Sequence, residues 1–185
     1  MKQQPILVVT GAPCVGKSTL ADALLARGNE KYVILNGELC NVFAWPGELS
    51  RCRKDWVKLC VSLSGQIDRA VVFYLDSMPD LFDGIDEQIR SRMSFAALVC
   101  DEVVLLHRAK EKLGDAAQKK IFADGTTNLE YIAVRNRAYR GEIDGCAYPE
   151  MERLDTTGQT VAESADLLER WILDRIGQSA SASEQ

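Results

Sequence analysis

Apolar and polar positions fall along this chain in two alternating kinds of block, short apolar runs and longer stretches with helical spacing. Ile6-Leu7-Val8-Val9 is a β-branched-rich run that stops at Gly11, the pattern of a buried strand. Between Lys17 and Arg27, Leu20, Leu24 and Leu25 recur at helical spacing, and Gly28-Asn29 closes that helix. Tyr32 to Leu35 reads as a second strand with Asn36-Gly37 as its terminal turn. From Leu49 onward Cys52, Trp56, Leu59, Cys60 and Leu63 recur at three and four residues, which predicts an amphipathic helix. Ala70 to Leu75 is a third strand stopped by Asp76, and Phe95 to Cys100 is a fourth.

The remaining segments follow the same rhythm. Residues 80–93 form a mixed, helical connection, and Asp101 is placed to cap a helix over Glu102–Leu113. Gly114 to Thr127 is polar without a clear period, and Leu129 to Arg140 regains helical spacing. A short fifth strand is expected near Met151–Leu154, and Thr160 with Glu163 forms a capping box for a last helix reaching about Ile176. Gln178 to Ser183 holds only small and polar residues, which predicts one folded domain over residues 1–177 and a disordered tail over 178–185. Strands alternating with helices in this way imply an α/β fold in three layers, a mainly parallel five-stranded sheet flanked by helices.

Composition narrows the classes open to such a fold. The chain has 185 residues, enough for one domain with a sizeable core. Its net charge of −5 argues against a protein that lives on nucleic-acid phosphates. The cysteines Cys14, Cys40, Cys52, Cys60, Cys100 and Cys146 form no CxxC pair, and His107 is the single histidine, so neither a zinc site nor a disulfide framework fits. Several lie in apolar runs and read as small core residues in a reducing compartment. Without an apolar signal-like stretch or a membrane-length run, the reading is a cytoplasmic protein with no membrane association.

The chemistry is concentrated in Gly11-Ala12-Pro13-Cys14-Val15-Gly16-Lys17-Ser18, which matches G-x-x-x-x-G-K-[ST] without a mismatch. A strand precedes it and a helix follows, the context this phosphate loop requires. Gly11 lets the chain leave the strand sharply, and Gly16 removes a Cβ that would meet a phosphate. The loop N–H groups then converge on the anion at a helix N-terminus. Lys17 is suited to reach the β- and γ-phosphates of ATP, and the Ser18 hydroxyl to ligate Mg²⁺. Thr19 completes the nucleotide-binding stretch. Asp76, an acid directly after a hydrophobic strand, is a second magnesium candidate, although aspartate is also common at strand ends as a turn former. His107, without visible partners, reads as a surface residue.

Four segments together carry a resemblance: Gly11–Thr19, Leu35-Asn36-Gly37-Glu38, Leu98-Val99-Cys100-Asp101 through to Arg108, and Leu154-Asp155-Thr156-Thr157-Gly158. In these the chain resembles small P-loop kinases of the nucleoside and nucleotide kinase type. Only the first segment is specific by itself. The resemblance implies phosphorylation of a small molecule, with the Asp76 strand beside the phosphate-loop strand. It implies that Glu38 is the general base that takes the acceptor's hydroxyl proton, replacing a more usual Asp. It places Arg108 against the donor phosphates, and Asp155–Gly158 beside the adenine ring. A lid-like segment is expected at about residues 109–127. The compact arginine pattern of the family's lid is missing there, so Arg135, Arg137 or Arg140 could supply the charge, with Arg137 preferred. The acceptor pocket is expected after the second strand, where Phe43 and Trp45 could stack on a ring and Arg51 or Arg53 could hold a phosphate. Trp56 fits its helix's apolar stripe and reads as core. A hydroxyl acceptor, a monophosphate acceptor and a nucleotide-binding regulator without an acceptor all stay open, as does the oligomeric state.

Overall fold

The computed structural model describes residues 4–37, 49–76, 79–121, 124–143 and 150–182. Its strands are β1 (Ile6–Gly11), β2 (Tyr32–Asn36), β3 (Ala70–Tyr74), β4 (Met93–Val99) and β5 (Glu152–Asp155). Its α-helices are α1 (Lys17–Arg27), α2 (Leu49–Ser64), the short α3 (Glu87–Arg90), α4 (Glu102–Leu113), α5 (Asn128–Arg140) and α6 (Val161–Ala182). Single 3₁₀ turns occupy Pro79–Phe82 and Gly114–Gln118.

All five strands join one sheet in the order β2-β3-β1-β4-β5, and every pairing is parallel. The expected α/β architecture is therefore the observed one, with β3 beside β1. Burial explains why the first four strands stand out as apolar runs. Parallel strands covered by helices on both faces have no solvated side to mark with polar residues, and every residue of β1 is buried. The two edge strands are less covered: β2 is buried only at Tyr32 and half-buried beyond it, and in β5 only Leu154 is buried while its three charged residues are exposed.

The helix boundaries follow local capping chemistry. Asp101 accepts from the Val103 N–H at 2.8 Å and starts α4. Thr127 and Glu130 form a reciprocal capping box at the start of α5, and Thr160 and Glu163 do the same ahead of α6. The tail expectation is corrected at its near end, because α6 continues through Ala182 rather than stopping near Ile176. Alanine is the best helix former, so a well-anchored helix propagates through an Ala/Ser stretch that looks like linker by composition. Of the cysteines, Cys60 and Cys100 are buried and Cys14 and Cys52 half-buried, all four as free thiols. Cys40 and Cys146 lie outside the described residues.

A polar clasp docks α6 onto the rest of the domain. The Glu169 carboxylate accepts from Arg27 Nη1 at 2.7 Å, Tyr32 Oη at 2.9 Å and Asn29 Nδ2 at 3.1 Å. Burial alone would raise its pKa, but these donors outweigh burial and hold it below the usual value of 4.5. A depressed carboxylate contributes stability that is complete above its unfolded pKa and disappears as pH falls through the folded one. Glu169→Gln should therefore cost about 1–2 kcal/mol at neutral pH. The gap to wild type should narrow as pH drops below about 4.5, which urea denaturation across that range would measure.

Candidate functional site

Parallel strands deliver their carboxyl ends to one rim of the sheet, and a cavity of 520 Å³ opens there. Pro13 to Thr19 line it together with Asp76, Arg108, Lys112, Thr156 and Gln159. Every residue of the expected nucleotide-binding stretch beyond Ala12 thus faces one space. Gly11 and Ala12 lie beneath it, both buried.

The backbone of the loop departs from ordinary conformations where the motif requires it. Gly11 has φ 143° and Gly16 has φ 113°, and Cys14 is the one described non-glycine residue with positive φ, at 66°. The two glycines have different physical reasons. A Cβ on Gly11 would lie 2.5 Å from the Leu98 carbonyl oxygen, so that position is fixed by packing against β4. A Cβ on Gly16 would meet no protein atom within 4 Å, so nothing in the protein itself crowds that position. α1 begins at the next residue, adding its N-terminal partial charge.

The cation at the loop is held in place by the loop. Lys17 is buried, and its ammonium donates to the carbonyl oxygens of Gly11 at 2.8 Å and Ala12 at 3.2 Å. Arg108 approaches from α4, donating at 3.4 Å to both the Val15 and Thr156 carbonyl oxygens. Lys112 lies one turn further along α4 and also lines the cavity. Sequence reasoning missed Lys112, although its spacing of four from Arg108 puts both on one helix face. Burial pushes the Cys14 thiol up, against the opposing pull of Lys112 and Lys17.

Asp76 reaches the same cavity, but it is already engaged on its far side. Its Oδ1 accepts from Arg135 Nη2 at 2.5 Å and from the Tyr139 hydroxyl at 3.0 Å. Arg135 Nη2 also donates to the Tyr139 oxygen at 2.9 Å, and Thr10 Oγ1 donates to it at the same distance. Arg135 is 4% exposed and Tyr139 fully buried. Burial and then the Asp76 charge hold the Tyr139 phenol well above its usual range, so it remains a proton donor.

The structure separates the arginines considered on α5. Arg137 sits on the exposed face and pairs with Glu102 at 3.4 Å, away from the cavity. Residues two apart on a helix point in nearly opposite directions, and Arg135 has the inward one. Arg140 donates to Glu142 and to the Cys100 carbonyl. His107 is exposed and lies beside Glu111, as expected of a surface residue.

At the far end of the cavity, the loop after β5 is tied down. The Thr156 N–H donates to the Val99 carbonyl at 2.9 Å, and Thr157 Oγ1 accepts from the Asp101 N–H at 2.7 Å. Gln159, Val161, Ser164 and Leu113 also line the cavity, four residues without a motif or spacing that marks them in the chain. On the acceptor side, Gly37 donates to the Tyr74 carbonyl at 2.8 Å, and Trp56 Nε1 to the Asn36 carbonyl at 3.1 Å. Glu38, Phe43 and Trp45 lie outside the described residues, as do the side chains of Arg51 and Arg53, whose backbone belongs to α2.

The sequence matches no protein-family model and no curated protein. Among solved structures, a gluconokinase from Sinorhizobium meliloti 1021 superposes with a TM-score of 0.56 at 16% identity, covering 100% of this chain and 96% of its own. A kinase candidate from Chloroflexus aurantiacus gives 0.59 at 14% identity, over 94% and 98% of the two chains. The tunicamycin resistance protein of Deinococcus radiodurans gives 0.59 at 16% identity, over 91% and 95%. At these identities the likeness establishes the fold, which is that of the P-loop kinases.

The two glycines predict separable phenotypes. Gly11→Ala should destabilise the fold by about 2–4 kcal/mol, from positive φ plus a clash with backbone. Gly16→Ala should cost only about 1–2 kcal/mol in folding, yet abolish the nucleotide binding proposed for the loop. Denaturation curves beside nucleotide titrations of both variants would check this, and parallel behaviour would contradict it.

Proposed function

We propose that this protein is an ATP-Mg²⁺-dependent phosphotransferase of the nucleoside and nucleotide kinase type, acting on the hydroxyl of a small, nucleoside-like molecule. One observation carries the reading: Lys17, Ser18 and Asp76 face a single cavity at the carboxyl rim of a P-loop kinase fold. The acidic net charge of −5 favours a small acceptor over nucleic acid.

The residues support a division of labour. The loop N–H groups and the α1 N-terminus receive the phosphates. Lys17 can leave the Gly11 and Ala12 carbonyls for a stronger, charge-assisted partner on the β- and γ-phosphates. The Ser18 hydroxyl and the Asp76 carboxylate are hard oxygen donors that fit Mg²⁺. Among the described residues no three His, Cys, Asp or Glu side chains gather into a protein cage. Magnesium suits such a sparse set, since it is usually held by one or two protein oxygens together with substrate phosphates. When bound, it neutralises the charge that accumulates on the phosphates.

Besides Lys17, Arg108 offers a cation to the donor phosphates, with Lys112 one turn along the same helix. Arg135 takes over from Arg137 as the α5 arginine of interest, because it alone of the two is buried toward the cavity. Thr156 of the Asp155–Gly158 loop and Gln159 offer polar groups to a base, with Leu113 and Val161 as apolar walls. Glu38 is the proposed base for the acceptor hydroxyl. Its neighbour Gly37 closes β2 against Tyr74, on the same rim as the loop. Within the lid-like span, the segment around Gly114–Gly125 is proposed to close over the donor and exclude water.

An ATP-consumption assay with Mg²⁺ across nucleosides, nucleoside monophosphates and hydroxylated antibiotics, read by product mass, tests the proposal. One added phosphate on a hydroxyl is the expected product. Addition to an existing phosphate would identify a nucleoside monophosphate kinase, and ATP binding without acceptor turnover a nucleotide-dependent regulator. Lys17→Ala should lower transfer at least about 100-fold while moving folding stability by about 1–2 kcal/mol at most. Glu38→Gln should slow hydroxyl transfer by about 10²–10⁴-fold with ATP affinity nearly unchanged; unaltered transfer would remove Glu38 as the base.

A further inference from the structure

We infer that Tyr139 and Arg135 are positioning residues for the Asp76 carboxylate, fixing the direction in which it meets nucleotide-bound magnesium. The inference rests on the nucleotide reading of the cavity proposed above. Both donors converge on one oxygen, Asp76 Oδ1, the guanidinium at 2.5 Å and the phenol at 3.0 Å. A carboxylate clamped by two donors on one oxygen loses its freedom to rotate, so the direction of its other oxygen is set from α5.

The Tyr139 hydroxyl is built for this task. A phenol has one proton to donate and two lone pairs to accept with. Here the proton goes to Asp76, and the lone pairs receive Thr10 Oγ1 and Arg135 Nη2, each at 2.9 Å. Arg135 in turn lies 5.0 Å from the centre of the Tyr139 ring, so the pair also stacks. Thr10 is the residue before Gly11, which ties the hub to the strand that carries the phosphate loop. α5 itself is pinned to the end of β4, where Asn136 Nδ2 donates to the Cys100 carbonyl at 2.8 Å.

A purely architectural role is the competing explanation, and energetics speak against it. Apolar side chains in place of a buried ion pair are often neutral or stabilising. A hub of Arg, Tyr, Asp and Thr at the edge of the cavity is therefore a poor choice for stability alone. Groups that orient a metal-side carboxylate from behind typically change metal affinity by about 10–100-fold when removed.

The test is a pair of titrations of the full-length protein with a fluorescent ATP analogue, one with Mg²⁺ and one with EDTA. Tyr139→Phe keeps the ring and its stacking but removes the hydroxyl. It should weaken the magnesium-dependent affinity by about tenfold while the EDTA affinity stays within about twofold of wild type. The Mg²⁺ concentration giving half-maximal signal should rise by the same factor. If Tyr139→Phe does not fold, Arg135→Lys, which keeps the charge but loses the shared Nη2 fork, should show the same split. Equal weakening in both titrations, or none in either, would overturn the positioning role. Wild-type protein that binds the analogue under neither condition would instead overturn the nucleotide reading, and equal wild-type affinity with and without Mg²⁺ would overturn the metal role of Asp76.

Discussion

The parallel pairing of β1 with β3 on one side and β4 on the other constrains the rest of the molecule. A strand with two parallel neighbours must send every connection back across the sheet, so helices cover both faces and the strands become wholly apolar. Polarity is then pushed to the ends. At the carboxyl ends the chain needs turns, caps and partners for its last backbone groups, and that is where Gly11, Gly37, Asp76, Asp101 and Thr156 all lie. The close approach of Gly11 to the Leu98 carbonyl shows how tightly β4 fixes the loop's point of departure.

That constraint also explains which parts were legible in the sequence. β1 to β4 could be read because each is an apolar run, fully buried in β1 and at least partly covered in the others. The Gly11–Ser18 loop could be read because its backbone conformation is unusual at Gly11 and Gly16, and glycine spacing records that directly. β5 was harder: three of its four residues are charged and exposed, and only its flanking elements placed it. Charged side chains were hardest of all. On α5 the hydrophobic residues Ile132 and Tyr139 mark an inner face, and Arg135 lies on it, but an arginine is read by default as solvated. Arg137, the arginine preferred for the site, is the solvated one, and Arg135 is the one turned inward. The Arg135–Tyr139 spacing of four, on the face of Ile132, was the available signal. The acceptor side is different in kind, since Glu38, Phe43 and Trp45 stand outside the described residues.

Charge at the rim follows a consistent economy of partners. Lys17 rests on loop carbonyls, Arg108 on the Val15 and Thr156 carbonyls, and Arg135 on the Asp76 carboxylate. The Arg108 contacts are to neutral carbonyls and long at 3.4 Å, so an anion would compete with them easily. Arg135 has a full counter-charge at 2.5 Å and a second acceptor in Tyr139, so removing it from Asp76 would strand both charges of a largely buried pair. The difference sorts these two arginines by physics rather than by residue type: Arg108 is loosely held, and Arg135 is committed to the protein.

Commitment of Arg135 changes how Asp76 should be viewed. A lone aspartate at a strand end is a flexible turn former, and its carboxylate can serve a metal only transiently. Held from behind by α5, the same carboxylate becomes part of a rigid wall, and its charge is partly balanced before any ligand arrives. Such balance matters in a cavity already lined by Lys17, Arg108 and Lys112.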